Sequence, residues 1–475
     1  MVDDPLNLDE IGEWAGLWWL PDDPDDQVPG VLRYDAEGGI FLALIGAFAG
    51  RIAPNPAPGV TAYHEGTWTG DVIHGVVEKR EVTLLGCVSG GGRRSRSERV
   101  KIAGKQTVTA TAAVIGEHIS GEDDAAFSSA EISVEDLGLW AASSVFGDIP
   151  GADGRISVQP VRTQSVLVGT TWYRLEHAHT RPFFDQRKGA TVGGIRDTVS
   201  VRVIPGAPFT LSAALREARL VQDLISLATH RAAGMLWLRL EVAGSPGRTA
   251  DVLYTPAAHG RHDASAVDRH CVFFSCDSLP FDEVMPRWCE AHGRLQAATN
   301  MILGLRYAPA RFIESNLLTA VGAAEVLHRG LQMDERPFPP TEFTALREAM
   351  LAQVPEEHRD RFKGAIHNDP TLRDRLLALA ERPDREAIAW IVPDIAHWAT
   401  QTTRARNDLA HEGRTADQSV DELFAVVEVT TAVVILNVLH ELGLSPERQR
   451  EIVREHPELR ATARIAREWL VDPEL

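Results

Sequence analysis

The apolar periodicity of this chain turns helical throughout near residue 300, and that change restricts the fold more than any single motif. Up to about residue 210 the apolar residues fall in short alternating or continuous runs, at 31–34, 40–44, 72–77, 82–88, 165–168 and 199–204. Turn-forming clusters such as Pro21-Asp22-Asp23-Pro24 lie between them. Short strands separated by turn chemistry predict an antiparallel sandwich or barrel-like unit. Residues 211–305 are mixed, with helical spacing over 211–228, strand-like runs at 235–242 and 271–274, and a helix from near Phe281 that carries Trp288. From residue 306 the pattern is helical throughout. The stretch 311–329 has an apolar stripe of Phe312, Leu317, Leu318, Val321 and Leu327. Helical stretches follow near 341–353, 355–366, 370–381, 384–406 and 418–442. A last one opens at Ser445-Pro446-Glu447, with serine as N-cap and proline at the first helical position. Helices in series with short connections predict a bundle. The expected fold class is α+β and multidomain: residues 1–305 β-rich (1–210 strand-rich, 211–305 mixed), then an all-α bundle over 306–475.

Length agrees, since 475 residues exceed the roughly 250–300 at which a single core stops growing. The charge balance narrows function. With 48 basic and 67 acidic residues the net charge is −19, the wrong sign for a protein that coats nucleic acid through a basic surface. A local basic site stays open, because charge acts over only about 8–10 Å in physiological salt. No run approaches the ~18 consecutive apolar residues of a membrane helix. The acidic start Met1-Val2-Asp3-Asp4 is unlike a signal peptide. A cytoplasmic protein with no membrane partner is expected. Cys87, Cys271, Cys276 and Cys289 are too scattered for a disulfide framework. His259, His262, His270 and His292 fall near three of these cysteines, but in none of the common zinc spacings, so no metal and no cofactor are expected. Neither a phosphate-loop motif nor a G-x-S-x-G elbow is present, which leaves ATP-dependent and serine-hydrolase chemistry without a motif.

One stretch carries chemistry: Thr403-Arg404-Ala405-Arg406-Asn407-Asp408-Leu409-Ala410-His411-Glu412-Gly413. Arg406, Asn407 and His411 form an Arg-x4-His pattern with a polar residue directly after the arginine, and Gly413 is a plausible helix stop. A guanidinium binds phosphate oxygens bidentately, and histidine titrates near neutral pH. Together they supply charge stabilisation and proton transfer, the two needs of RNA cleavage without a metal. Arg404 and Arg414 flank the motif as candidate RNA contacts. Residues five apart on a straight helix point about 140° apart. The two side chains therefore converge only if the helix bends or ends, or if a second copy completes the site. Pro393 is expected to kink or break the helix leading to the motif. The bland alternative is a helix-end salt bridge with a C-cap histidine.

The C-terminal half resembles the HEPN family, whose active members carry an Arg-x4-6-His motif. Arg406, Asn407 and His411 stand where that motif stands. The segments Phe312-Ile313-Glu314-Ser315 and Ala324-Glu325-Val326-Leu327-His328-Arg329 are similar to the first helix of the ApeA-like branch. Gly16-Leu17-Trp18-Trp19-Leu20-Pro21, Gly30-Val31-Leu32-Arg33-Tyr34, Ile73-His74-Gly75 and Val82-Thr83-Leu84-Leu85-Gly86-Cys87 resemble the N-terminal domain fused to that branch. The resemblance implies an anti-phage defence endoribonuclease with a sensor or regulatory N-terminal region. It implies a homodimer with a composite site, RNA such as tRNA as substrate, and a phage-derived trigger. The rival expectation is a non-catalytic HEPN module that dimerises and binds a nucleotide or RNA.

Secondary candidates are weaker. Of Trp18 and Trp19, one ring is expected in the core and the other over its edge. Glu117 and His118 are read as surface groups, Glu325 and His328 as an i,i+3 surface pair, and 90–96 as a basic loop.

Overall fold

The computed structural model describes residues 4–48, 69–93, 105–146, 156–256, 271–333, 336–415 and 418–471. The chain forms two compact units, Met1–Val267 with Phe274–Pro286, and Asp268–Phe273 with Arg287–Leu475.

The first unit is built on one antiparallel sheet. Its strands β1 (Gly12–Leu20), β2 (Asp23–Asp35), β3 (Gly39–Ile45), β4 (Thr69–Val77), β5 (Arg80–Arg93) and β6 (Lys105–Ala110) pair in the order β4-β1-β2-β3-β6-β5. A further β4–β5 pairing closes them into a six-stranded barrel. Alternation determines what faces inward: Ile40, Leu42 and Leu44 of β3 are buried, while their neighbours are not. At Gly86, φ is +59°, and β5 leaves one partner for another. Val82–Leu85 pairs with β7 (Ala112–Ile115) and Val88–Gly90 with β6. A Cβ at Gly86 would lie 2.2 Å from Thr111 Oγ1, so only glycine fits this corner.

From β7 the sheet runs on through β8 (Phe127–Val134), β9 (Gln164–Val168), β10 (Thr171–His179), β13 (Asp197–Ile204), β14 (Met235–Val242) and β15 (Thr249–Tyr254), in the order β7-β15-β14-β8-β13-β10-β9. A separate hairpin joins β11 (Phe183–Arg187) to β12 (Ala190–Gly194). Helix α1 (Leu137–Ala141) packs on β13, and α2 (Leu211–Thr229) packs on β8 and β14. Gly90–Arg93, expected in a loop, belong to β5; Arg94, Ser95 and Arg96 lie outside the described residues.

Helix α3 (Phe281–Tyr307) carries the division between the units, at its internal Pro286. From Arg287 onward it packs with the helical unit. Cβ atoms built on Gly330 and Gly322 would meet Leu295 Cδ2 at 2.7 Å and Met301 Cε at 2.8 Å. The run 271–274 is not a strand. The carbonyls of Val272 and Phe273 each accept from Arg448 at 2.9 Å, and that of Cys271 lies 3.1 Å from His456 Nε2, so side chains take the place of a ladder.

The second unit continues with α4 (Ile313–Gly330), α5 (Pro340–Ala352), α6 (Glu356–Ala365), α7 (Leu372–Glu381), α8 (Arg385–Ile391), α9 (Ile395–Glu412), α10 (Val420–Glu441), α11 (Pro446–Glu455) and α12 (Pro457–Trp469). At its centre α10 packs against α4, α7, α8, α9 and α12. Among the described residues it is the one helix long and apolar enough to cross a membrane, and 83% of that stretch is buried, as suits a helix apolar on every side. Ser445 caps α11 as expected, but Pro457 starts a new helix, so the final stretch is two helices. In the α4 stripe, Leu317, Val321 and Leu327 are buried, whereas Phe312 and Leu318 are exposed. Phe312 is the N-cap residue, outside the helical periodicity.

Glu441, at the end of α10, is clasped by Arg294 and Arg382. Burial opposes its ionisation, but the hydrogen bonds from both arginines outweigh burial and hold the carboxyl below its ordinary range. A carboxyl depressed in the folded state stabilises fully above its unfolded pKa, and that stability is lost as pH falls through the folded value. Glu441→Gln is therefore expected to cost roughly 1–3 kcal/mol at neutral pH, the worth of hydrogen bonds to a charged group. It should also flatten the loss of stability as pH falls through and below the ordinary glutamate range, about 4.3. Thermal melts across that range check both.

Candidate active site

The expected helix 384–406 is two helices. Asp394 caps α9, its side chain accepting from the His397 N–H at 2.9 Å, and Pro393 lies in the connection after α8. Proline thus ends one helix before the next begins, and α9 runs unbroken from Ile395 to Glu412. Gly413 terminates it at φ +68°, its N–H bonded to the Leu409 carbonyl at 3.1 Å.

Trp398, Ala399, Thr402, Ala405 and Leu409 form the buried stripe of α9, which packs on α4, α7 and α10. Trp398 is fully buried and donates from Nε1 to Thr430 Oγ1 at 3.3 Å. Arg406 follows Ala405 at the edge of this stripe and is 35% exposed. It reaches across to α4, where Glu325 Oε2 lies 3.7 Å from its Nη2, and its Nη1 donates to Asn407 Oδ1 at 3.3 Å. The other oxygen of Glu325 lies 3.9 Å from Arg375 Nη1 on α7.

His411 is exposed on the last turn of the same helix. An unbroken helix sets it about 7.5 Å further along the axis and about 140° around from Arg406. The structure brings Arg406 and Asn407 together and leaves His411 on another face. Arg404 is exposed and pairs at 3.8 Å with Asp408, while Arg414 lies exposed just past Gly413.

A model of ApeA N-terminal domain 1 matches residues 13–288, and a model of the Apea-like HEPN domain matches residues 318–448. The chain belongs to the ApeA family. No curated protein and no solved structure matches it. In this ApeA-family chain the HEPN match contains Arg406, Asn407 and His411 together with Glu325 and Arg375. Its architecture is that of an anti-phage defence HEPN protein, and HEPN domains are typically ribonucleases.

Arg375 carries no signal in the sequence, and Glu325 is placed otherwise than its spacing from His328 predicts. Glu325 and His328 form no surface pair: His328 is buried, and Glu325 turns toward two arginines on other helices. In the ApeA N-terminal match, Trp18 fills the core beneath Gly75, and half-buried Trp19 meets His118 edge-on at 5.5 Å. His118 stacks on His74 at 4.4 Å, and Glu117 pairs with Arg248 at 2.9 Å. Burial raises the Glu117 carboxyl against the pull of Arg248. Among the described residues no group of three His, Cys, Asp or Glu is placed to hold a metal; His259, His262 and His270 lie outside them. Burial, aided by Asp277, pushes the thiol of half-buried Cys276 up to about 12.

Proposed function

We propose that this protein is an anti-phage defence endoribonuclease that cuts cellular RNA, tRNA among it, without a metal. Its site is composite, formed by the α9 ends of two copies. The reading rests on the Arg406-Asn407/His411 pattern lying on one unbroken helix of a HEPN-matched domain. Because that helix sets the two side chains on different faces, a second copy that brings its own His411 toward Arg406 is the arrangement that uses both.

In such a site His411 takes the proton from a ribose 2′-hydroxyl. The O2′ atom attacks phosphorus, the P–O5′ bond breaks, and the leaving oxygen is protonated by a second histidine or by water. Arg406 binds the non-bridging oxygens, where charge accumulates. Asn407 holds the guanidinium in place. Arg404 and Arg414 contribute a local positive field that the net charge of the chain does not. The β-rich unit senses a phage-derived trigger or restrains the nuclease until infection, whereupon growth arrests.

The test is cleavage of total cellular RNA and a tRNA pool by the purified chain in EDTA, with and without lysate from infected cells. Fragments ending in 2′,3′-cyclic phosphate or 3′-phosphate are expected. Fragments with 3′-hydroxyls, or loss of activity in EDTA, would sink this mechanism. A second reading, an RNA- or nucleotide-binding dimer that does not cut, is favoured by the carboxylate of Glu325 that Arg406 already faces. Retention of intact RNA without fragments, even with infected lysate, would select it.

A further inference from the structure

We propose that the β-rich unit carries a second active site, a Ser143–His177–Asp197 triad for acyl transfer from a carboxylic ester. The three residues are far apart in sequence and meet through the sheet. On β10, Tyr173, Leu175 and His177 share one face, and on β13, Asp197, Val199 and Val201 share the face that meets it. His177 pairs with Val199, which makes Asp197 its diagonal neighbour on that face. Helix α1 packs on β13 and ends at Ala141, which delivers Ser143 to the same place.

The geometry is that of an activated serine. Ser143 Oγ lies 3.0 Å from His177 Nε2, and His177 Nδ1 lies 3.3 Å from Asp197 Oδ1. The second carboxylate oxygen of Asp197 accepts from Ser144 Oγ at 2.9 Å and from the Val145 N–H at 3.1 Å. With both oxygens engaged, the carboxylate is held toward Nδ1–H. Nε2 is then left as the acceptor for the Ser143 hydroxyl, whose alternative, the Ala141 carbonyl, is longer at 3.2 Å. The His177 side chain is 2% exposed and that of Asp197 13%, whereas Ser143 remains partly open to solvent. The residue before the serine, Ala142, sits in the left-handed region at φ +53°, a costly conformation for a residue with a Cβ. Ala142 is the residue that caps the end of α1, so the close of that helix sets Ser143 against the histidine–carboxylate pair.

In the reaction, Ser143 Oγ bonds to the acyl carbon and its proton passes to His177 Nε2. The carbon–oxygen bond of the ester breaks as that proton moves to the leaving alkoxide. Water, deprotonated by His177, then releases the carboxylic acid and regenerates the serine. Ser143 and His177 are the catalytic residues, and Asp197 is a positioning residue that acts through the imidazole.

The experiment treats the full-length protein with a fluorophosphonate probe, maps the adduct by mass spectrometry, and follows p-nitrophenyl butyrate hydrolysis. An adduct on Ser143 is expected in the wild-type chain and none in Ser143→Ala. Asp197→Asn should slow adduct formation by roughly 10²–10⁴-fold and change the pH dependence of its rate, because the imidazole then favours the wrong tautomer. The wild-type adduct does not depend on any variant folding. Failure of the folded wild-type chain to label at Ser143 would overturn the proposal, leaving a hydrogen-bonded turn. An Asp197→Asn protein that labels at the wild-type rate with the wild-type pH profile would overturn it too.

Discussion

Arg406→Ala and His411→Ala are each expected to lower RNA cleavage by about 10²–10⁴-fold, the range for loss of a general acid–base or of a charge-stabilising donor. Neither should unfold the helical unit. Arg406 is one-third exposed and its contact with Glu325, at 3.7 Å, is a loose ion pair worth at most about 1 kcal/mol. His411 stands in solvent at a helix end. The decisive form of the experiment mixes the two variants. If each site takes Arg406 from one copy and His411 from the other, a mixed dimer carries one intact site and one doubly defective site. Random pairing then restores roughly a quarter of wild-type activity in a two-fold dimer. No recovery on mixing would mean that one copy supplies both residues or that the site lies elsewhere. Full activity in both single variants would remove the motif from the chemistry.

The largest expected effect on stability comes from Trp398→Ala. This side chain is fully buried on the core stripe of α9, and its Nε1–H bonds Thr430 on α10. Removing it leaves a cavity and a hydroxyl without its donor, and truncations of this size cost about 3–5 kcal/mol. Domains of this kind are stable by only about 5–15 kcal/mol, so much of the margin of the helical unit would go. Helical ellipticity followed through urea unfolding measures this. Trp398→Phe, which keeps most of the volume, should lose clearly less. RNA cleavage should follow the folded fraction in both variants, since Trp398 holds α9 in place and does not reach the substrate. A loss of cleavage in a fully folded Trp398→Phe protein would show that the helix position is tuned more finely than packing alone requires.

The elements were largely legible because they are local. The runs at 31–34, 40–44, 72–77 and 199–204 all lie in strands, and 211–228 and 235–242 match α2 and β14 closely. Failures occurred where tertiary partners replaced the local pattern. Apolar 271–274 reads as a strand, but Arg448 and His456 satisfy its carbonyls in place of a neighbouring strand. Pro393 reads as a kink or a break in the stretch 384–406, and the break is what forms, with Asp394 capping the helix that follows. The Arg-x4-His pattern was readable because five positions of spacing and a following glycine are sequence properties. Its surroundings were not: the tie from Glu325 to Arg406 depends on how α4 lies against α9.

By itself, then, the sequence determined the two kinds of architecture, their order along the chain, and the Arg-x4-His pattern near a helix end, because periodicity, caps and short motifs act over a few residues. Only the tertiary structure decided that α9 is straight, so that Arg406 and His411 face different ways. It also decided that Glu325 and Arg375 belong beside the motif. The meeting of Ser143, His177 and Asp197 was equally invisible beforehand, since three residues spread over 55 positions come together only through the register of β10 on β13 and the end of α1. A triad is a property of geometry, and no local spacing announces it.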